Sequence, residues 1–249
     1  MPVWILAAFW GGIAGSALLV GAAIGYFLPL RQRIVAGVMA FGSGVLISAI
    51  SFDLIDEAYQ RGGFTATAIG FLVGAIVYTG ANWIVNRYGA AHRKRSVQNP
   101  VEEQDENSGT AIAIGALIDG IPESIVIGLS LLGGTGVSVV AVAAVFISNI
   151  PEGLSSSAGM KQSGRSRTYI FSVWTIIALL SAGASLCGAL FFEAAPAGMV
   201  SMITAVAAGA ILCMIVDTMI PEAFAETHNF AGIITVLGFL AAFALEKMI

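Results

Sequence analysis

The amino-acid sequence predicts an all-α polytopic membrane protein: a single transmembrane domain over residues 1–249, with eight transmembrane helices in a 3+2+3 arrangement built on inverted repeats. Composition is the first reason. Hydrophobic residues make up 57% of the chain and charged residues 10%, and the mean hydropathy is +0.90, far from the averages of a water-soluble domain. The second reason is periodicity. Apolar runs of about 20 residues or more, enough to cross the hydrocarbon core of a bilayer, fall at 3–28, 34–58, 64–86, 110–132, 136–160, 168–192, 199–224 and 230–248. The third is internal similarity: Gly44-Val45-Leu46 through Glu57-Ala58 aligns with Gly209-Ala210-Ile211 through Glu222-Ala223 at a constant offset of 165 residues. Those two runs lie in spans of opposite direction, the mark of inverted-topology repeats.

Taken in order, the first run has no Lys or Arg ahead of it and is too long for a signal-peptide core, so it reads as a retained span. Its Gly11/Gly15 and Gly21/Gly25 pairs, like Gly70/Gly74 in the third run, have the small-xxx-small spacing that lets membrane helices approach closely. Residues 88–109 form the one long connection, with Arg93-Lys94-Arg95 followed by Glu102, Glu103, Asp105 and Glu106 around Pro100, and read as a flexible cytoplasmic loop. The basic trio fits topology control and anionic lipid heads rather than nucleic acid. Gly133-Gly134-Thr135-Gly136 makes the fourth and fifth runs an antiparallel hairpin. With both termini outside, nine basic residues (Arg31, Arg33, Arg87, Arg93, Lys94, Arg95, Lys161, Arg165 and Arg167) face the cytoplasm, and only Arg61 and Lys247 lie outside. The expected location is the plasma or inner membrane of the cell. Cys187 and Cys213 fall inside spans and read as small apolar packing residues.

The chemistry concentrates in the central hairpin. Asp119-Gly120-Ile121-Pro122-Glu123-Ser124 and Ser148-Asn149-Ile150-Pro151-Glu152-Gly153 are near-copies at the middle of adjacent runs, with no basic residue nearby. A charged side chain at membrane depth costs roughly 2.5–3.5 kcal/mol on insertion scales, so these acids need partners, and a cation is the natural one. Asp119 and Glu123 lie one helical turn apart on one face. Ser148, Glu152, Ser155 and Gly159 form a narrow polar stripe on the fifth span, with Asn149 beside it. Pro122 and Pro151 cannot donate to the carbonyls of Ile118 and Ile147, which leaves acceptors one turn before each glutamate. The candidate metal ligands are therefore Asp119, Glu123, Ser148, Asn149 and Glu152, a hard-oxygen set without thiolate or imidazole. Asn149 and Ser148 also fit a purely structural role as hydrogen bonds between helices. Asp53, toward the outer end of the second span, and Asp217 and Glu222, toward the inner end of the seventh, are pathway candidates. Asp56, Glu57 and Glu226 fit solvated helix ends, as Glu222 also does. His228 and His92 lie too far out to join the cluster.

These residues resemble the ZIP (Zrt/Irt-like) family of divalent metal transporters, of the bacterial type. The resemblance covers all eight runs, the long loop after the third, and the two Pro-Glu motifs. It implies a two-metal centre between the fourth and fifth spans, uptake of a divalent cation toward the cytoplasm, and frequently a homodimer. In that family both motifs usually read His-Asn-x-Pro-Glu-Gly. Here Asp119 and Ser148 replace the two histidines, and Gly120 offers no side-chain ligand. The sixth span has Ser181-Ala182-Gly183-Ala184-Ser185 where the family commonly has a Glu-Pro step, whereas Asp217-Thr218-Met219-Ile220-Pro221-Glu222-Ala223 matches the family pattern well. Losing both imidazoles removes donors that favour zinc and moves the expectation toward harder or broader selectivity; zinc, manganese, iron(II) and cobalt all fit. The alternative is a non-transporting homologue of the same fold that binds metal or regulates. An intramembrane aspartyl enzyme is disfavoured, because Gly-x-Gly-Asp is absent and each acid is coupled to a helix proline.

Overall fold

The computed structural model describes residues 1–28, 30–87, 108–133 and 136–248. The loop expected over 88–109 therefore lies almost wholly outside the described residues, as do residues 134 and 135 of the hairpin link. Among the described residues all regular structure is helical. Helices α1 (Val3–Phe27), α4 (Ser108–Ser130), α5 (Val139–Gln162) and α6 (Arg167–Phe192) are single rods. α2 (Gln32–Ala49) continues through a π-helical turn, Ile50–Leu54, into α3 (Ile55–Val85). α7 (Ala197–Met214) continues through a second π-helical turn, Ile215–Met219, into α8 (Ile220–Thr227), and α9 (Ala231–Met248) follows.

Helix starts follow local chemistry. Ser138 accepts from the Ala141 N–H at 3.0 Å and caps α5, and Ser166 accepts from the Tyr169 N–H at 3.2 Å and caps α6. Pro196, at φ −57°, precedes α7. The helical run from Gln32 to Val85 is 54 residues, about 80 Å if straight, far more than the roughly 30 Å of a hydrocarbon core. It is broken at Gly63, whose φ of 71° is open to glycine and costly for other residues. The run from Ala197 to Met248 is broken in the same manner at His228, φ 45°.

The two runs share one plan. Moving α2, its π-helical turn and Gly63 along the chain by 165 residues lands on α7, the second π-helical turn and His228, residue for residue. Their packing is reciprocal as well. A Cβ on Gly44 would collide with the Thr235 carbonyl oxygen, and one on Gly209 with that of Phe71; Gly74 abuts Val206 O as Gly238 abuts Phe41 O. Such backbone-to-backbone contact is what small residues permit when hydrophobic transfer cannot drive helices together in lipid.

Directions follow from the contacts. α1 runs parallel to α5, since Ala14 meets Asn149 and Tyr26 meets Lys161. It is antiparallel to α6, since Ala7 meets Ser185 and Gly15 meets Ala178. α2 is antiparallel to α5, with Gly42 beside Pro151 and Asp53 beside Ser138. The part of α3 beyond Gly63 is parallel to α7, with Gly70 beside Met202 and Gly74 beside Val206. Successive rods thus alternate. Among the described residues, Arg31, Arg33, Arg87, Lys161, Arg165 and Arg167 come to one end of the bundle, and Arg61 and Lys247 to the other.

Candidate functional site

The second Pro-Glu motif is held against α1 by glycine. A Cβ on Gly153 would collide with the Leu18 carbonyl oxygen, and Gly21 and Gly25 of α1 meet the carbonyls of Ile150 and Leu154 in the same way. The Asn149 amide donates to Ala14 O at 3.0 Å, which fixes the rotation of α5 about this contact. Glu152 is thereby turned inward, with 4% of its surface exposed. On α4, Ser124 stands where α5 has glycine, and its hydroxyl bonds back to Gly120 O at 2.8 Å. The close approach of α4 comes one turn later, where Gly128 meets the backbone of Ser185 on α6. Glu123 is 1% exposed.

The two motifs meet through apolar neighbours. Val126 of α4 clusters with Ala141 and Ala144 of α5, and Ile127 clusters with Val142, Val145 and Ala14. Ser148 follows within a turn of Val145, to whose carbonyl its hydroxyl donates at 3.0 Å, and Glu123 on α4 and Ser148 and Glu152 on α5 are all buried. Neither glutamate faces lipid. Asp119, also buried, lies one turn from Glu123 toward the basic end, and its Oδ1 accepts from the Tyr78 hydroxyl at 2.6 Å. Asn149 keeps its amide nitrogen on α1, so its carbonyl oxygen is the atom of that side chain with donor chemistry for a cation.

The pathway candidates stand apart from this centre. Asp53 lies in the first π-helical turn and accepts from the Ser138 hydroxyl at 2.7 Å, at the less basic end. Asp217 lies in the second and takes a 3.4 Å contact from the Asn82 amide, on the basic side of the centre. Glu222, half-buried, opens α8, which packs on α2. Between Asp53 and Glu123 the packed interior holds an apolar cavity of about 10 Å³, room for one water molecule, lined by Leu46, Ile50, Leu54, Val126, Val145 and Ile211 among others. π-helical turns are rare and favour functional positions, and here both carry a carboxylate. At the sixth-helix position, the Ser181 hydroxyl is the nearest atom to a Cβ built on Gly120, at 3.7 Å.

Three further residues belong to this arrangement and are absent from the sequence reading: Tyr78, Asn82 and Ser138. Tyr78 and Asn82 are four apart, polar and on one face of an otherwise apolar run, which is the signal that could have found them. Among the described residues no three His, Cys, Asp or Glu side chains gather tightly enough to hold a metal ion by themselves. Any cation here would lean on hydroxyl, amide and backbone oxygens as well as carboxylates.

No family model matches the chain. Among curated proteins, one from Arabidopsis thaliana named "Putative zinc transporter" is 26% identical over 219 residues, which cover 85% of this chain and 33% of that protein. The chain thus spans about a third of the length of the curated relative it matches. Its matched region takes in most of the helical bundle described above.

Proposed function

We propose that this chain is a membrane carrier of the ZIP type that moves a divalent metal cation toward the cytoplasm through an oxygen-rich site between α4 and α5. The observation that carries the reading is the burial of Glu123 and Glu152, each beside a helix proline, inside a largely apolar helical bundle. Buried carboxylates of this kind are stabilised by a cation or a proton. The similarity to a protein named as a zinc transporter supports the same class of cargo. In this reading the four single rods and the two broken runs supply eight spans in a 3+2+3 order with inverted repeats, and the basic end faces the cytoplasm, leaving both termini outside. A homodimer in the cell membrane is the assembly that the family resemblance implies.

The ligand set is Asp119, Glu123, Ser148, Asn149 and Glu152. A divalent ion arriving past Asp53 sheds water, takes carboxylate and amide oxygens at the seam, and displaces protons from Glu123 and Glu152. It leaves past Asp119, Asp217 and Glu222. The apolar packing between Asp53 and Glu123 supports a carrier closed toward the outside, in which rods must shift before a hydrated ion enters. Without thiolate or imidazole the site is hard, and zinc, manganese, iron(II) and cobalt all compete for it.

Flux of divalent metal into liposomes containing the purified chain tests this reading, with competition among the four metals. Glu123→Ala and Glu152→Ala are expected to abolish flux; variants that both carry metal as well as the parent would sink it. The sparse acid count supports a second reading, a homologue that binds metal or regulates without transporting. Metal binding by calorimetry without any flux in the parent would favour that one.

A further inference from the structure

A cavity of about 290 Å³ opens at the basic end, between α1, α2 and α5. It lies apart from the proposed metal site. Leu28, Val35 and Leu154 make its walls apolar, and Gln32, Lys161 and Gln162 stand at its rim. Gln32 sits between Arg31 and Arg33 in sequence, and Arg165 and Arg167 follow Lys161 around the turn into α6. Glu222 and Glu226 belong to α8 on the same end, so among the described residues six basic side chains, Arg87 included, stand against two acidic ones at this end.

An aromatic collar fixes the depth of this opening. The Lys161 ammonium lies over the Tyr26 ring at 4.9 Å and donates to the Tyr26 carbonyl oxygen. The Arg167 guanidinium lies over Phe27 at 5.0 Å and over Phe171 at 5.9 Å, and that of Arg165 over Tyr169 at 5.5 Å. Amphipathic aromatic rings beside Lys and Arg collect at the level of lipid headgroups. A cation conduit is a poor use for a cavity rimmed by a lysine, whose charge repels the cargo. An anion with a long apolar body matches both the rim and the walls.

We infer that this cavity binds one anionic phospholipid, its phosphate at Lys161 and Gln162 and its first methylenes against Leu28, Val35 and Leu154. Basic pockets between membrane helices are suited to such headgroups. The lipid fastens α1, α2 and α5 together at one end and offsets the positive charge there.

The test follows thermal unfolding of the full chain in uncharged detergent with phosphatidylglycerol, phosphatidylcholine or inorganic phosphate added. Phosphatidylglycerol is expected to raise Tm well beyond phosphatidylcholine, and phosphate to leave it unchanged, since a ligand that binds only the folded state stabilises it. The excess shift is lost in Lys161→Gln and in Ala158→Leu, which fills the cavity, and kept in Lys161→Arg and in Arg87→Gln at the same end of the bundle. Equal shifts from the two lipids overturn the site, and a phosphate shift equal to that of phosphatidylglycerol makes it a simple anion site. Loss in Arg87→Gln as large as in Lys161→Gln reduces it to diffuse surface charge. Full retention in Ala158→Leu also overturns it; if that variant fails to fold, the contrast between Gln and Arg at Lys161 decides.

Discussion

The Tyr78 hydroxyl donates to Asp119 Oδ1 across 2.6 Å inside the bundle, tying α3 to the helix that carries the first Pro-Glu motif. Both residues are almost fully buried. A hydrogen bond of that length to a carboxylate is of the strong, charge-assisted kind, and it sets which way Asp119 presents its second oxygen.

Tyr78→Phe removes the donor and little else. Hydrogen bonds to charged groups contribute about 1.5–3 kcal/mol, so the apparent affinity for metal is expected to fall about tenfold or more. Uptake into liposomes at varied metal concentration reads this as a raised KM. A lowered Tm with an unchanged KM would show that the bond serves the fold alone.

The helices were legible because lipid leaves the backbone few alternatives: an apolar run of sufficient length must satisfy its own hydrogen bonds. The repeat was legible for the same reason, since Gly44 and Gly209 occur at equal register and both end in backbone contacts. The breaks were harder to place. The apolar run 34–58 stops at Asp53, Asp56 and Glu57, yet the helix continues to Gly63 because headgroup depth tolerates charge. The π-helical turns leave no mark in hydropathy. The five ligand candidates were read from two short motifs, whereas Tyr78 and Ser138 act through contacts 41 and 85 residues away in sequence, which no local pattern encodes.

Gly153→Ala is expected to destabilise the fold by about 1–3 kcal/mol, the usual cost of overpacking. The added methyl would collide with the Leu18 carbonyl, and backbone cannot swing aside as a side chain can. Gly183→Ala on α6 is the control, since nothing lies within 4 Å of its Cβ position. A fall in Tm in detergent for the first substitution and none for the second is the expected pair. Equal effects would mean that the α1–α5 contact is looser than described.

Metal uptake is expected to weaken as pH falls. In the proposed site Glu123 and Glu152 would hold a cation only when deprotonated, so protons would compete directly with metal, and binding would release them. Adding metal to weakly buffered protein therefore acidifies the solution. The release should vanish in the Glu123→Gln, Glu152→Gln double variant, whose amides have no proton to exchange. Release that persists there would move the metal site elsewhere.

His228→Gly is expected to stabilise the protein. His228 has φ 45° and ψ −116°, a backbone conformation that L-residues adopt only at a cost of order 1–2 kcal/mol. The position related to it by 165 residues is Gly63, φ 71°, where glycine meets the same demand for a chain reversal without that cost. Against the gain stands greater backbone freedom in the unfolded chain, a loss of about 0.4–1 kcal/mol, and an edge-on contact between the imidazole and Phe224 at 6.1 Å. The ring contact is exposed and therefore weak, so relief of strain wins by a few tenths of a kcal/mol to about 1 kcal/mol. Gly63→Ala runs the comparison backwards, with nothing within 4 Å of its Cβ position, so its expected loss is conformational alone. Thermal unfolding of both variants beside the parent gives the result. If His228→Gly lowers Tm, the ring contact holds the second reversal more strongly than backbone preference opposes it, and the two breaks are alike in place but not in cause.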